Sequence, residues 1–403
     1  MHMRFIVVGL PDSPCFELPV EVLQAISTAK VFSGGKRHHE LVRHWLPQDA
    51  SWIDIVAPMK AVFNEYESTC RVVQADGLVV FVSNDPLFYG FANTIKRFMP
   101  DADIRLYPYF NSLQMLAHRL VMPYHDMRIV SLTGRPWHEF DCALIERCLK
   151  IGVLTDREHT PAAIAARMLA YGFDGYTMSV GEHLGHPEKE RVRSLAVQDA
   201  VVNEFEYPNC LILHAEEGAV PQREYGIEER RFALLDGRVN MITKMPIRLL
   251  SLQALHLRTH RVFWDIGFCT GSISIEAKLQ FPYLHVVAFE IRPDCETILQ
   301  ENQKRFHCPG IMPVMGDFLE ADLAGLPSPD AVFIGGHGGR LKEILHRIVP
   351  LLSAGAHVVM NSVTPQSLAS FDEAVAELGL HAMRPMYITV DNHNPIHILS
   401  ATK

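Results

Sequence analysis

Long apolar runs are missing from the 403 residues. None approaches the roughly 18 consecutive residues of a membrane-spanning helix, so no membrane partner is expected. The first residues, Met1-His-Met-Arg-Phe5, lead straight into a strand pattern without the charged, apolar and cleavage regions of a secretory leader, and the expectation is a cytoplasmic protein. Positive charge is scarce. Lys and Arg total 37 against 46 Asp and Glu, a net charge of −9, whereas generic nucleic-acid binding needs a basic surface that releases counterions. No nucleic-acid partner is expected. The eight cysteines contain no C-x-x-C pair and no regular spacing, which argues against a disulfide framework or zinc site and for free buried thiols. Histidine is frequent, at 21, but scattered. His38 and His39 are adjacent, while His393 and His397 fall on a turn and a strand, where that spacing does not bring side chains together. No metal is assigned. Internal repeats and low-complexity segments are also absent.

What is present suffices for ordinary cores: 48% of the residues are hydrophobic, and the length suits two or three domains. The stretch 262–276 organises the C-terminal part. It reads as a buried strand ending at Asp265, a loop carrying Gly267 and Gly271, and a helix opening at Ser272, whose hydroxyl suits an N-cap. Glycines let a ligand approach the backbone there, and a helix N-terminus favours polar or anionic ligand groups. A second apolar run ends at Glu290, 23 residues beyond Gly267 and near the spacing of roughly 20 for a ribose-binding acid. Strand patterns follow at 311–315, leading into Gly316-Asp317, then at 330–336 and 356–363, with helical patterns between them. This predicts a doubly wound sheet. Two last runs, 381–390 and 396–401, are joined by Asp391-Asn-His-Asn-Pro395, too short for a crossover helix, so they should be antiparallel. The resulting seven-stranded, Rossmann-like arrangement resembles the class I S-adenosylmethionine (SAM) methyltransferases. Nicotinamide enzymes more usually carry the triplet G-x-G-x-x-G, which this loop lacks.

The N-terminal part begins with a strand at 5–10 and a polar turn, Pro11-Asp-Ser-Pro14. A helix at 20–29 and strands at 31–35 and 78–83 follow, with Asp85 as N-cap and Pro86 as first residue of a helix over 87–98. A loop at the carboxyl end of a central strand is also where open α/β sheets bind ligands, which makes Asp85 a site candidate. A strand at 104–110 closes this lobe, and a second lobe starts near 111 with helices at 112–120 and 138–149 and strands at 128–133 and 152–156. Thr160 caps a helix with Pro161 at its first position, and strands at 175–181, 191–197 and 210–215 complete the lobe. The polar segment 216–226 marks the boundary. The expected organisation is 1–215, in lobes of about 1–110 and 111–215, followed by 225–403.

These motifs together resemble the decarboxylating precorrin-6Y methyltransferases, fusions of two methyltransferases of cobalamin biosynthesis, over nearly the whole chain. The N-terminal part is similar to the tetrapyrrole methylases in Val8-Gly-Leu-Pro11, Ser83-Asn-Asp-Pro86, Pro108-Tyr-Phe-Asn-Ser112, Ser131-Leu-Thr-Gly-Arg135, Leu154-Thr-Asp156 and the segment 160–165. The C-terminal part resembles the decarboxylating partner in the segment 236–244, Ile247-Arg248, Trp264-Asp-Ile-Gly267, Thr270-Gly-Ser272, the segment 330–339 and Asn361-Ser-Val-Thr364. Departures concentrate at the N-terminus. Asp12 and Ser13 stand in the first loop, Asn84 replaces a glycine, and Tyr109-Phe110 replaces Gly-Val, so side chains occupy space near a cofactor. In the C-terminal loop Phe268-Cys269 replaces Ala-Gly, while Gly267, Thr270 and Gly271 are kept. The resemblance thus implies a better preserved SAM site in the C-terminal half.

It implies a two-lobed tetrapyrrole methylase fold followed by a class I methyltransferase, self-associating as a homo-oligomer through the C-terminal domain. The implied reaction is methylation of a precorrin-type tetrapyrrole at carbons 5 and 15, with loss of carbon dioxide from the ring C acetate. Implied SAM ligands are Asp265, Gly267, Thr270, Gly271, Ser272, Glu290 and Asp317, with Gly9, Asp85 and Ser112 in the N-terminal domain. The substrate carries many carboxylates and the chain is net negative, so cations must gather at the pocket mouth; Lys244, Arg248 and Arg340 are candidates, with His337 on a glycine-rich loop. Two other readings stay open. One is a SAM methyltransferase acting on RNA or protein; the other has one working site beside a non-catalytic N-terminal binding domain.

Overall fold

Runs of Val, Ile, Leu and Phe buried on both faces form the central strands of the sheets, as expected where both sides are covered. The computed structural model describes residues 3–13, 15–390 and 395–403. Pro14 of the first turn and residues 391–394 of the last connection, including His393, lie outside the described residues. The chain divides into two compact units: Met1–Gly134, Lys150–Ile164 and Thr177–His214 form one, and Arg135–Leu149, Ala165–Tyr176 and Ala215–Lys403 the other. No single cut along the chain separates them.

The first unit holds two sheets. Strands β1 (Arg4–Leu10), β2 (Val31–Gly34), β3 (Ser51–Asp54), β4 (Gly77–Ser83) and β5 (Asp103–Tyr107) pair in the order β3-β2-β4-β1-β5, all parallel. Strands β6 (Arg128–Ser131), β7 (Lys150–Leu154), β8 (Thr177–Glu182), β9 (Arg191–Ala196) and β10 (Asn209–His214) form a mixed sheet, β6-β7-β10-β8-β9, parallel only between β6 and β7. Helices Lys36–Val42 and Met59–Val72 and strand β3 occupy a region for which the sequence patterns offer no reading.

The turn after β4 corrects one expectation. Asp85 does not cap a helix beginning at Pro86; its Oδ1 accepts hydrogen bonds from the backbone N–H of Leu87 (2.8 Å) and Phe88 (3.3 Å), holding a turn, and the helix Phe91–Phe98 starts later behind Gly90. Thr160, in contrast, does cap, accepting from Ala163 N at 3.2 Å before the helix Pro161–Ala170.

In the second unit, strands β11 (Val262–Ile266), β12 (His285–Glu290), β13 (Ile311–Met315), β14 (Ala331–Ile334) and β15 (His357–Ser362) are parallel. They continue through β18 (Ile396–Thr402), which pairs antiparallel with β15 and with the short strands β16 (His381–Ala382) and β17 (Met386–Ile388). The expected run 381–390 is therefore split, but its antiparallel sense holds. The order is β13-β12-β11-β14-β15-β18-β16, with β17 beside β18. Alternation along β11 sends Phe263 into one apolar cluster and Trp264 and Ile266 into another on the opposite face, which places Asp265 on the Phe263 side. The chain steps outward from β11 through β12 to β13, then crosses back to β14 on the other side of β11, so the strand order reverses there. A crevice opens at the carboxyl ends of the strands at such a switch.

Candidate functional site

The loop after β11 turns sharply because residues Gly267 (φ +78°), Cys269 (φ +49°) and Gly271 (φ +72°) are left-handed. A Cβ on Gly267 would lie 2.7 Å from the backbone nitrogen of Gly336, so the loops following β11 and β14 touch without room for a side chain. Cys269 keeps a glycine-like conformation with a side chain attached. The helix Ser272–Gln280 has Gly271 as its N-cap; Ser272 is its first residue and not the cap, since its backbone is already helical.

Two acids stand on the same face of adjacent strands. Asp265 is buried; its Oδ2 accepts from Ser274 Oγ at 2.6 Å, while Oδ1 has no hydrogen-bond partner. Burial, opposed by Ser274 and reinforced by the negative charge of Glu290, raises its carboxyl to about 7. Glu290 accepts from the backbone N–H of Cys269 (2.9 Å), Ile291 (3.0 Å) and Arg292 (3.1 Å), and from Arg292 Nε (2.9 Å) and Nη2 (2.7 Å). Burial alone would raise its carboxyl, but Arg292 and the backbone donors outweigh it and hold the group below its usual range.

Two cavities adjoin these acids. One of about 640 Å³ is lined by Asn240 to Lys244, Asp265, Gly267, Thr270, Ser272, Arg292, Gly336 and Asn361, among others. The other, about 350 Å³, is lined by Gly267, Glu290, Arg292, Asp317, Gly336, His337 and Arg340, among others. Both fall in the range of small-molecule sites, about 300–1,000 Å³. Asp265, Gly267, Thr270, Ser272, Glu290 and Asp317 are thus gathered around one crevice; Gly271 sits behind it as the helix cap. Arg340 donates to Asp317 at 2.8 Å, and burial lowers the imidazole of His337, whose Nδ1 accepts from Gly339 N at 3.2 Å. Lys244 lines the larger cavity and donates to Val239 O at 3.2 Å.

Arg248 is not at the mouth. It is fully buried, donating to Glu276 Oε2 at 3.1 Å, to Thr243 O at 2.9 Å and to Ile227 O. The apolar flank of the helix Met245–Ala254 faces the core, and Arg248 falls on that flank with a buried acid as partner. Arg292, two residues beyond the strand-terminal Glu290, was missed by sequence reasoning. A cation two positions after the strand-terminal acid is the signal that could have found it.

Of the N-terminal candidates Gly9, Asp85 and Ser112, only Ser112 lines the cavity described in that half. Gly9 lacks a Cβ because Asn84 O would lie 1.7 Å from one, and that carbonyl also accepts from Tyr109 N at 3.2 Å. Ser112 lines a cavity of about 180 Å³ with Asp12, Arg37 and Asn84; neither Gly9 nor Asp85 is among its lining residues. Asp12 and Arg37 pair across 2.6 Å there.

Residues 4–200 match the family described as Tetrapyrrole (Corrin/Porphyrin) Methylases, and residues 236–398 match the Precorrin methyltransferase domain. A Sinorhizobium protein named Precorrin-6Y C(5,15)-methyltransferase [decarboxylating] is 30% identical over 377 residues, covering 93% of this chain and 88% of that protein. A Salmonella typhimurium Cobalt-precorrin-6B C(15)-methyltransferase (decarboxylating) is 35% identical over 38% of this chain and 79% of its own. A Cobalt-precorrin-7 C(5)-methyltransferase from the same organism is 28% identical over 51% of this chain and 97% of its own. At that identity and coverage of the Sinorhizobium protein, and with both halves matched to methylase families, the chain belongs to the family of decarboxylating precorrin-6Y C(5,15)-methyltransferases.

Proposed function

We propose that the crevice of the second unit binds SAM and a precorrin-6Y/6B-type tetrapyrrole, methylates carbon 15 and releases carbon dioxide from the ring C acetate, and that the N-terminal half methylates carbon 5. Family membership supports the reaction class. The observation that carries the site is the unpartnered, buried Oδ1 of Asp265, a residue lining a cavity that shares Gly267, Arg292 and Gly336 with the cavity at Glu290. An orphaned carboxylate oxygen suits a cationic group such as the cofactor's ammonium, and a strand-terminal carboxylate suits a ribose diol. When bound, SAM would supply a sulfonium methyl for attack by an electron-rich ring carbon, with the neutral thioether of S-adenosylhomocysteine as leaving group.

The chain's residues have positioning work. Asp265 fixes the cationic end, Glu290 the ribose, and the touching glycine loops exclude water and bring reactants to near-attack distance. Lys244 offers a cation for a substrate carboxylate on the larger cavity's wall. The acetate loses its carboxyl carbon as carbon dioxide, and the electron pair enters the macrocycle, so no strong general base is required. Glu290→Ala should weaken SAM binding by about 1.5–3 kcal/mol, the scale of a hydrogen bond to a charged group. Unchanged affinity by calorimetry on a folded variant would remove Glu290 from the assignment.

A second reading, one working site beside a non-catalytic N-terminal binding domain, is favoured by the small Asp12–Arg37 cavity. Equilibrium dialysis decides between them: two cofactor equivalents per chain support two sites, and one supports this second reading.

A further inference from the structure

The carboxylate of Glu290 has no acceptor capacity left. An ionised carboxyl offers about four lone-pair sites, and here five donors converge on it. Three are backbone N–H groups of Cys269, Ile291 and Arg292, held by the strand end and the loop; the other two come from the Arg292 guanidinium as a fork. A diol cannot donate two hydrogen bonds to Glu290 while that fork is in place. Only the guanidinium, on a flexible and partly exposed side chain, is free to leave.

Its destination is set by where it stands. Arg292 lines both the Glu290 cavity and the larger one containing Asp265, and with Lys244 it is one of two cations among the described residues lining the larger cavity. A guanidinium taken off its acid needs another anion, because leaving a charge half-buried and unpaired is costly. The substrate class already argued brings carboxylates to that cavity.

We infer that Arg292 is a coupling residue that trades partners: it covers Glu290 before cofactor binds, and when a ribose takes Glu290 it turns to a carboxylate of the tetrapyrrole. The inference rests on the reading of the second unit's crevice as the SAM and tetrapyrrole site. It adds an order to that reading, with cofactor priming the pocket for substrate. The reciprocal coupling is built from one side chain. A tetrapyrrole carboxylate that holds Arg292 away from Glu290 must equally raise affinity for the cofactor.

The test uses the full chain and isothermal titration with S-adenosylhomocysteine and with a precorrin-6B-type tetrapyrrole, each alone and with the other saturating. In the unsubstituted protein each ligand should tighten the other by on the order of 10-fold. In Arg292→Gln, S-adenosylhomocysteine alone should bind more tightly, because nothing has to be displaced, and the mutual tightening should disappear. Arg292→Lys, which keeps the charge without the fork, should retain part of the coupling. Weaker S-adenosylhomocysteine binding in Arg292→Gln would show that the arginine supports Glu290 instead of competing for it, and unchanged coupling would equally overturn the inference. Either outcome leaves the site reading intact. The assignment of Glu290 to that site fails separately, if Glu290→Ala leaves S-adenosylhomocysteine affinity unaltered.

Discussion

Asp265 is the residue at which burial and charge meet the proposed cofactor site. Its carboxyl is raised from 3.8 to about 7, so the folded protein holds a proton there that the unfolded chain has released. The resulting stabilisation is fully present below pH 3.8 and is lost as pH rises to about 7; Asp265→Asn should flatten that part of the stability profile. A cationic group docking on Oδ1 favours the charged form and expels the proton. Calorimetry of cofactor binding at pH 6, in buffers of different ionisation heat, should record release of about one proton in the original protein and none in Asp265→Asn. No release from the original protein would detach Asp265 from the cation. Arg248 makes the opposite case. Its type and position suggested a substrate contact, but a guanidinium inside the core, paired with Glu276, fastens the segment at Ile227 to two helices. Arg248→Ala should destabilise the protein by about 3–5 kcal/mol, because Glu276 is left buried without its counter-charge, with only the backbone N–H groups of Gly226 and Ile227 as donors. A denaturation midpoint that does not move would refute this.

At the scale of elements, strands and the strand–loop–helix turn were legible because period and glycine placement are local. β12 to β15 lie within their expected runs, β11 ends at Ile266, one residue beyond the expected Asp265, and Gly267 and Gly271 have the positive φ that a sharp turn requires. What was not legible depends on partners far along the chain. Glu290 was readable as a strand-end acid, but its five donors come from two loops, and Arg248 acquires its role only when Glu276 packs against it. The turn at Asp85 failed for another reason: Asp-Pro serves an Asx turn as readily as a helix cap, and only the backbone beyond it decides. Cys269 shows how an element tolerates a departure from its family. The cysteine keeps φ at +49°, a conformation that costs an L-residue roughly 1–2 kcal/mol over glycine. Cys269→Gly should therefore raise stability by up to about 1 kcal/mol, reduced by the extra freedom of glycine in the unfolded chain. Chemical denaturation checks the sign. A loss of stability would mean that the packing of the buried thiol outweighs backbone strain.

For the whole molecule the question is whether the parts act alone. Two relatives, named for the C(15) and C(5) steps, are covered over 79% and 97% of their own lengths by only 38% and 51% of this chain. Each therefore corresponds to part of it. The fragment 225–403 retains one of the apolar clusters that sandwich β11 to β15 and all but Ile145 of the buried residues of the other, and should fold cooperatively. It also loses something. Ile145 belongs to one of those clusters, and Cys142 donates to Pro282 O at 3.0 Å, so cutting at 225 removes part of the compact unit containing 215–403. The fragment should unfold at lower denaturant than the same domain within the full chain. Given SAM and the tetrapyrrole, we expect it to add one methyl group and release carbon dioxide, read as product mass. The fragment 1–215 should add the other methyl slowly or not at all, because the cavity lined by the Asp12–Arg37 pair is below the usual ligand size and Tyr109 stands where the tetrapyrrole methylases it resembles have glycine. Decarboxylation that appears only with fragment 1–215 would reverse the division of labour. A fragment 225–403 that stays unfolded until residues 135–176 are restored would place the functional boundary where the chain compacts and not where its composition turns polar.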